Sequence, residues 1–407
     1  MAVTVKEALD TISNLTTNLK YEIIPIEDCI NRICAENIFA KICLPRFNNS
    51  AMDGYAILFE DANKELELID TIFAGDNNNK LLKPNTCIKI MTGARIPDNC
   101  NVIIPKEDCT ELENGKIKVP ENIKMNQHIR FIGEDIDCND LLIKEKEEIN
   151  FSKITLLSSQ GLSHIKVYKK PKIVVFASGE ELKLHYEKAE DYQIYNSNTP
   201  TFISRCQELG CDVDFIGQAK DSIEAIKELI LNSLGADLII TSGGVSVGDA
   251  DFTRDAFKEV DCINIFEGIK IKPGKPTVFG KIKDTYILNL PGNPLASALI
   301  FELFGKLIIQ KLLGSNLTYH NFIFSKLGED LKNKKGRITI IPGNFDGRYF
   351  YCEKKSNPGM VSTLSKCNSL IVLDENVSLL KKDSEVKVLP ISWKFFEKEY
   401  KDFLTNE

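Results

Sequence analysis

The sequence predicts a multidomain α/β plus β protein organised around one doubly wound parallel sheet. Three observations carry that prediction. Between Lys172 and Leu313, short apolar runs alternate with helical patterns, which is the rhythm of βαβ units. Residues 57–136 and about 320–407 instead hold short strands punctuated by glycine and proline, the pattern of small β domains. The chain has 407 residues, more than a single core usually organises.

Taken in order, Thr4 to Leu19 reads as a helix. Thr4 and Glu7 have capping-box spacing, and Val5, Leu9, Ile12, Leu15 and Leu19 recur along one face. Short apolar runs follow to Pro45. Arg46 to Ala56 is a polar loop leading into a strand at Tyr55 to Leu58, and on its own it reads as structural. ELELIDTIFAG, CIKIMTG, NVIIPKED and GKIKVP supply the strands of residues 57–136, with Met91 to Ala94 ending one of them. Ile129 to Asp135 closes the segment with a charged turn. Ser152 to Gly161 reads as a helix and Ser163 to Tyr168 as a strand.

In the α/β part, KIVVFA (Lys172 to Ala177) is a buried strand. A helix over Asn198 to Leu209 stops at Gly210. Asp212 to Gly217 is a strand, and Asp221 caps a helix running through Leu234. Leu238 to Thr241 is a β-branched strand broken by Ser242-Gly243-Gly244, and a helix begins near Phe252. Tyr286 to Leu290 is a strand, followed by Pro291-Gly292-Asn293-Pro294 and a long apolar helix to Leu313. RITIIPGNF, YFYCEK, SLIVLD and EVKVLP make the tail a β domain, with a short helix expected near Trp393 to Leu404.

Composition narrows the function. Apolar residues are 43% and charged residues 27%, as in an ordinary soluble protein. The net charge of −7 argues against a nucleic-acid partner. Twelve scattered cysteines without a C-x-x-C pair, and four histidines, argue against a zinc ribbon or a His-ligated metal. The N-terminus lacks the blocks of a signal peptide, and no stretch reaches the ~18 apolar residues of a membrane span. The reading is a cytoplasmic protein with reduced thiols and no membrane contact.

In open α/β sheets, ligands bind beyond the carboxyl ends of the strands. Ser178 to Glu181, Asp221, Ser242 to Gly244 with Asp249 and Asp251, and Pro291 to Pro294 all fall there. Paired glycines let backbone N–H groups converge on an anion. The acids fit if a divalent cation bridges them to a phosphate. The same stretch also reads as a β–α turn whose glycines serve geometry and whose acids cap a helix. Gly268 to Lys283 carries five lysines and no acid, with Lys272 and Lys275 flanking a Pro273-Gly274 turn. A solvated basic loop is the other reading of that run.

Seven stretches in order, NNSAMDGYA, MTGARIP, IRFIGEDI, SGEEL, TSGGVSVGDADF, IKPGKP and LPGNP, make the chain resemble the molybdopterin molybdenumtransferase family, which includes MoeA-type proteins and the gephyrin E domain. The resemblance covers essentially the whole length. It implies an elongated N-terminal dimerisation domain of two segments, 1–40 and 137–168. It also implies an inserted β domain at 41–136, a molybdopterin-binding-type α/β domain at 169–319 and a C-terminal β domain at 320–407. It implies a homodimer whose sites are closed by the partner's inserted domain, and contact with other proteins of molybdenum cofactor biosynthesis.

The implied reaction takes adenylylated molybdopterin and molybdate, with Mg²⁺, and releases AMP. By motif, the implied catalytic positions are Asp53, Thr92, Asp135, Glu181, Asp221, Asp251, Lys272 and Lys275. Ser242, Gly243, Gly244, Ser246, Gly248, Pro291, Gly292, Asn293 and Pro294 are implied to bind the pterin compound, and Asp221, Asp249 and Asp251 the metal. Two positions depart from the family pattern. Pro358 stands where a serine is expected, which weakens any tail contribution to molybdate binding, and Glu180 replaces an aspartate. A non-catalytic pterin-binding scaffold, the related adenylyltransferase and a tungstate-preferring paralogue are the competing readings.

Overall fold

The computed structural model describes residues 2–77, 80–243, 252–393, 399, 400, 402 and 404. The first helix is Val5–Ser13, and its capping box forms as expected: Glu7 N–H donates to Thr4 Oγ1 at 3.1 Å and Thr4 N–H to Glu7 Oε2 at 2.7 Å. The helix stops six residues short of the predicted Leu19. Leu15 and Leu19 still pack against the core, but from extended chain. An apolar stripe records burial, and here burial outlasts the helix.

Tyr21–Pro25 then pairs antiparallel with His164–Tyr168, so segments far apart in sequence form one unit, joined by the helix Phe151–Ser159. From this unit the chain runs out through a two-segment neck. Ile38–Phe39 pairs with Leu141–Ile143, and beyond it Leu44 bridges Ile136. Past the neck lies a six-stranded sheet, in order Val102–Pro105, Gly54–Ile57, Thr86–Ile90, Glu65–Ile72, Lys116–Lys118 and Thr110–Glu111. Its two faces bury separate clusters, one around Ile88 and Ile103, the other around Tyr55 and Ile104.

One cysteine pair corrects the expectation that every thiol is reduced. Cys43 and Cys138 form a disulfide, with Cα atoms 4.8 Å apart across a sequence separation of 95. The neck brings them together, and nothing in their spacing along the chain announces it.

The central sheet has strands β1 (Lys172–Ser178), β2 (Asp212–Ala219), β3 (Leu238–Ser242), β4 (Ile263–Glu267), β5 (Val278–Ile282) and β6 (Thr285–Leu290), in the order β2-β1-β3-β6-β5-β4. β2, β1, β3 and β6 are parallel, as predicted. β5 and β4 are antiparallel additions. Much of the basic run is thus not loop: Ile271–Lys272 and β5 are strands within it. Alternate residues of β1 feed two cores. Ile173 and Val175 join a cluster with helices α1 (Asn198–Glu208), α4 (Pro294–Ile300) and α5 (Lys306–Leu313). Phe176 joins one with α2 (Ile223–Asn232) and α3 (Phe252–Glu259). Residues alternate because side chains on a strand point to opposite faces.

α4 and α5 are joined by a π-helical turn, Phe301–Gly305, so the long apolar helix is continuous to Leu313. Glu302 in that turn is buried and receives Arg205 from α1 through both carboxylate oxygens, at 2.7 and 2.9 Å. The tail strands Ile338–Phe345, Tyr349–Cys352, Ile323–Leu327, Glu385–Pro390 and Ser369–Leu373 close on themselves into a barrel. Ile271–Lys272 pairs with Ile338–Phe345, tying the barrel to the central sheet. Most of the helix expected near Trp393 to Leu404 lies outside the described residues. No helix among the described residues is long and apolar enough to cross a membrane.

Candidate functional site at the carboxyl edge of the central sheet

The parallel strands end in register. Ser178 at the end of β1 faces Ala219 of β2, Ala177 faces Ser242 of β3, and Ser242 faces Leu290 of β6. The four following turns therefore emerge side by side. They surround a cavity of about 900 Å³ whose walls include Ser178, Gly179, Glu181, Asp221, Ser242, Gly243 and Pro291 to Pro294.

Two glycines are required by this geometry. Gly243 has φ +103°, and a Cβ there would sit 2.5 Å from the Ser178 carbonyl oxygen. Gly179 has φ +146°, and its Cβ would sit 2.8 Å from a Glu181 carboxylate oxygen. Only glycine adopts such angles without strain. The Gly243 and Gly292 turns nearly touch, since a Cβ on Gly292 would lie 3.6 Å from Gly243 Cα. The glycines thus let two strand ends approach closely enough to share one wall.

The predicted capping role of Asp221 is corrected. The cap is Ser222, whose Oγ accepts from Ala225 N–H at 3.2 Å. Asp221 is thereby left half-buried in the cavity wall, its Oδ2 accepting from Glu180 N–H at 3.4 Å. Glu181 is exposed on the same rim. Oxygen donors of this kind suit a hard divalent cation. At the same edge, Ser178 Oγ, Thr241 Oγ1 and both amide atoms of Asn289 are buried and have no hydrogen-bond partner among the described residues. Unpaired buried polar atoms are uncommon in cores and mark this edge as built for more than packing.

Sequence reading missed several wall residues. Asn198, at the start of α1, donates from Nδ2 to the Gly292 carbonyl at 2.8 Å and to Ser242 Oγ at 3.3 Å. It stitches the two glycine turns together from a third element. Ile194, Tyr195 and Asn196 line the opposite side. Gly359 and Val361 come from the tail barrel. The Pro358 carbonyl accepts from Leu295 and Ala296 N–H, at 2.9 and 3.3 Å, so the tail caps the start of α4 directly. Pro294 at the first helical position has no N–H to satisfy. The missing serine at 358 therefore does not detach the tail from the cavity: a backbone oxygen makes the contact.

The other expected residues fall elsewhere. Lys272 and Lys275 are exposed and do not line the cavity, although Pro276 of the same turn does. Asp53 and Thr92 come together on the inserted sheet. The Thr92 N–H and hydroxyl both donate to Asp53 Oδ1 at 2.7 Å, and those bonds hold the Asp53 carboxyl below the usual carboxylate range. Asp135 sits at the neck, its N–H on the Leu44 carbonyl. None of these three lines the cavity of its own chain. Gly244, Ser246, Gly248, Asp249 and Asp251 lie outside the described residues.

An open α/β sheet with a polar, glycine-walled cleft at its carboxyl edge is an arrangement suited to a small anionic ligand. Residues 3–161 match the family described as MoeA N-terminal region (domain I and II), 174–341 a probable molybdopterin binding domain, and 325–391 the MoeA C-terminal region (domain IV). A molybdopterin molybdenumtransferase of Haemophilus influenzae is 33% identical over 385 residues, covering 91% of this chain and 94% of that one. One of Staphylococcus aureus is 32% identical, covering 91% of each. A molybdopterin biosynthesis MoeA protein of Pyrococcus horikoshii superposes with a TM-score of 0.83 at 28% identity, covering 97% of this chain and 100% of the other. The chain belongs to the molybdopterin molybdenumtransferase family.

Proposed function

We propose that this protein inserts molybdenum into molybdopterin, taking adenylylated molybdopterin and molybdate and releasing AMP. The observation that carries the reading is the cavity itself. Two glycine turns, tied by Asn198, present a close backbone wall in the same cavity as Asp221 and Glu181. The pterin compound's pyrophosphate lies along the strand end at Ser242 and Gly243 and the Pro291–Pro294 turn, and Gly244, Ser246 and Gly248 also bind it. Asp221, with Asp249 and Asp251, would hold Mg²⁺, which would supply positive charge to offset that of the phosphates. Glu181 shares that rim. Lys272 and Lys275 receive molybdate at the adjoining turn, as compact point charges suited to a tetrahedral oxyanion.

The protein works as a cytoplasmic homodimer with composite sites. Asp53, Thr92 and Asp135 serve the partner's cavity, which fits their placement away from their own. Exposed Tyr21, Ile23, Phe39 and Phe151 on the elongated N-terminal unit (1–40 and 137–168) supply an apolar surface for pairing. The inserted unit is 41–136, the pterin-binding unit 169–319 and the tail unit 320–407.

Mixed dimers test the composite site. Subunits carrying Asp53→Ala and Asp221→Ala, inactive separately, regain activity when mixed, because one of the two cavities in a heterodimer carries neither change. Mixtures no more active than either parent would show that each site is built within one chain.

A further inference from the structure

Cys43 and Cys138 sit where the chain enters and leaves the inserted sheet, and the fold leaves them unusually placed. On the inner side, Ala40 N–H donates to the Asp140 carbonyl at 2.8 Å and Asn139 N–H to the Ala40 carbonyl at 3.0 Å. On the outer side, Leu44 N–H donates to the Ile136 carbonyl at 2.8 Å, and the Leu44 carbonyl accepts from Asp135 and Ile136. Between these rungs the ladder is open. Lys41 and Ile42 turn their N–H groups away from the facing segment to Gln160 Oε1, at 2.9 and 3.1 Å. The Cys43–Cys138 bond crosses in that gap. The neck is thus two extended segments with a missing rung, and a sulfur bridge supplies it.

Accessibility separates this pair from the other cysteines. Cys138 is exposed and Cys43 half-buried. The other ten cysteines are free thiols, seven of them buried. Burial raises even the half-buried Cys109 to about 12, and Cys262 and Cys352 to about 11, so they stay protonated and unreactive. An exposed cysteine beside a partner at bonding distance is the arrangement of a reversible couple.

We propose that Cys43 and Cys138 form a reversible thiol–disulfide modification site that sets the mobility of the inserted sheet at its neck. Glutathione disulfide is the oxidant. The Cys138 thiolate attacks one glutathione sulfur and the first glutathione leaves. The Cys43 thiolate then attacks the Cys138 sulfur of the mixed disulfide and expels the second. One protein S–S bond forms, two protein thiols are oxidised, and the two thiol protons end on two reduced glutathiones. In the dithiol form the covalent crosslink is gone, the neck keeps its flanking backbone rungs, the Gln160 contacts and the Cys43 Sγ contact with Asp137 Oδ1 at 3.5 Å, and the sheet beyond it swings more freely.

The experiment uses the full chain and needs no substrate, so it is decided independently of the proposed reaction. The protein is equilibrated in glutathione buffers from fully reduced to fully oxidised, then alkylated and mapped by mass, with amide hydrogen exchange measured on the same samples. We expect Cys43 and Cys138 to oxidise together in one transition while the other ten cysteines remain thiols. Reduction should raise exchange at residues 41–44 and 136–139 by about threefold or more, with the cores unchanged. Cys43→Ser should leave Cys138 as a mixed disulfide with glutathione, and Cys43→Ser/Cys138→Ser should exchange like the reduced protein at every ratio. Oxidation elsewhere first, or a pair that stays reduced throughout, overturns the site. Co-oxidation without any change in neck exchange overturns the mobility claim. Stoichiometric zinc retained by the reduced protein and lost in Cys43→Ser would instead make these thiols metal ligands.

Discussion

Asn198→Ala is the sharpest perturbation of the cavity, because one amide holds two of its walls. The side chain is only 8% exposed, and its Nδ2 serves both the Gly292 carbonyl and Ser242 Oγ. Truncation removes both bonds and leaves the Gly292 oxygen to water that enters the cavity. A hydrogen-bonded pair lost at a half-wet site costs about 1–2 kcal/mol. If that cost falls on the arrangement that grips the pterin's phosphates, binding weakens by about 5- to 30-fold. The assay is titration of adenylylated molybdopterin against wild type and variant, with melting temperature measured alongside. Asn198→Asp is the discriminating companion. It keeps the volume but presents oxygen where the Gly292 carbonyl needs a donor, so it should bind no better than the alanine variant. Wild-type binding by Asn198→Asp would refute the stitching role, since geometry without donation would then suffice.

Three further outcomes follow from the structure. Glu302→Ala leaves the half-buried Arg205 without its bidentate partner while Glu208 still pairs with it, a loss of about 1.5–3 kcal/mol visible in denaturant unfolding. His320 is held below the ordinary imidazole range chiefly by burial, and its Nε2 bonds the Leu303 carbonyl at 2.7 Å. The unfolded chain therefore protonates it first, and stability present above about pH 6.5 is lost as pH falls below that value and through the lower value of the folded state. His320→Gln should flatten the decline, measured as urea midpoints at pH 8 and 5.5. Lys275→Ala should raise the molybdate needed for half-maximal rate by roughly ten- to a hundred-fold, as expected for a charge-assisted contact of about 1.5–3 kcal/mol. A shift in pterin affinity instead would assign that lysine to the phosphates.

What the sequence disclosed follows the range of the forces involved. The Thr4–Glu7 box is a contact three residues long, and it formed as read. The inner parallel strands β1, β3 and β6 are largely apolar on both faces and announce themselves, as do the glycine turns that follow them. Asp221 was placed correctly at the sheet edge but given the wrong local duty, because Ser222 beside it is an equally good cap and takes the helix. Leu15 and Leu19 kept helical spacing while leaving the helix, since packing alone decides their burial.

The misses are non-local. β5 lies inside the run that also reads as a basic loop, because flanking lysines obscure its β pattern, and β4 carries no strand signal strong enough to be assigned. The Asn198 stitch joins residues from three segments. The Pro358 cap runs through a backbone oxygen that any residue supplies. The Cys43–Cys138 bond depends on where the chain leaves and re-enters a unit, and residue types carry no trace of that.

In the proposed reaction, the cavity at the sheet edge cleaves adenylylated molybdopterin as molybdenum is inserted. The most direct measurement is AMP release by the purified protein, given adenylylated molybdopterin with and without molybdate at fixed Mg²⁺. Release should depend on molybdate, with one AMP per molybdenum bound to pterin. Asp221→Asn, which keeps size and hydrogen bonding but removes charge, should abolish most of that release while melting as the wild type does. Tight binding of the adenylylated pterin with no AMP released at any molybdate concentration would contradict it and leave a pterin-binding scaffold.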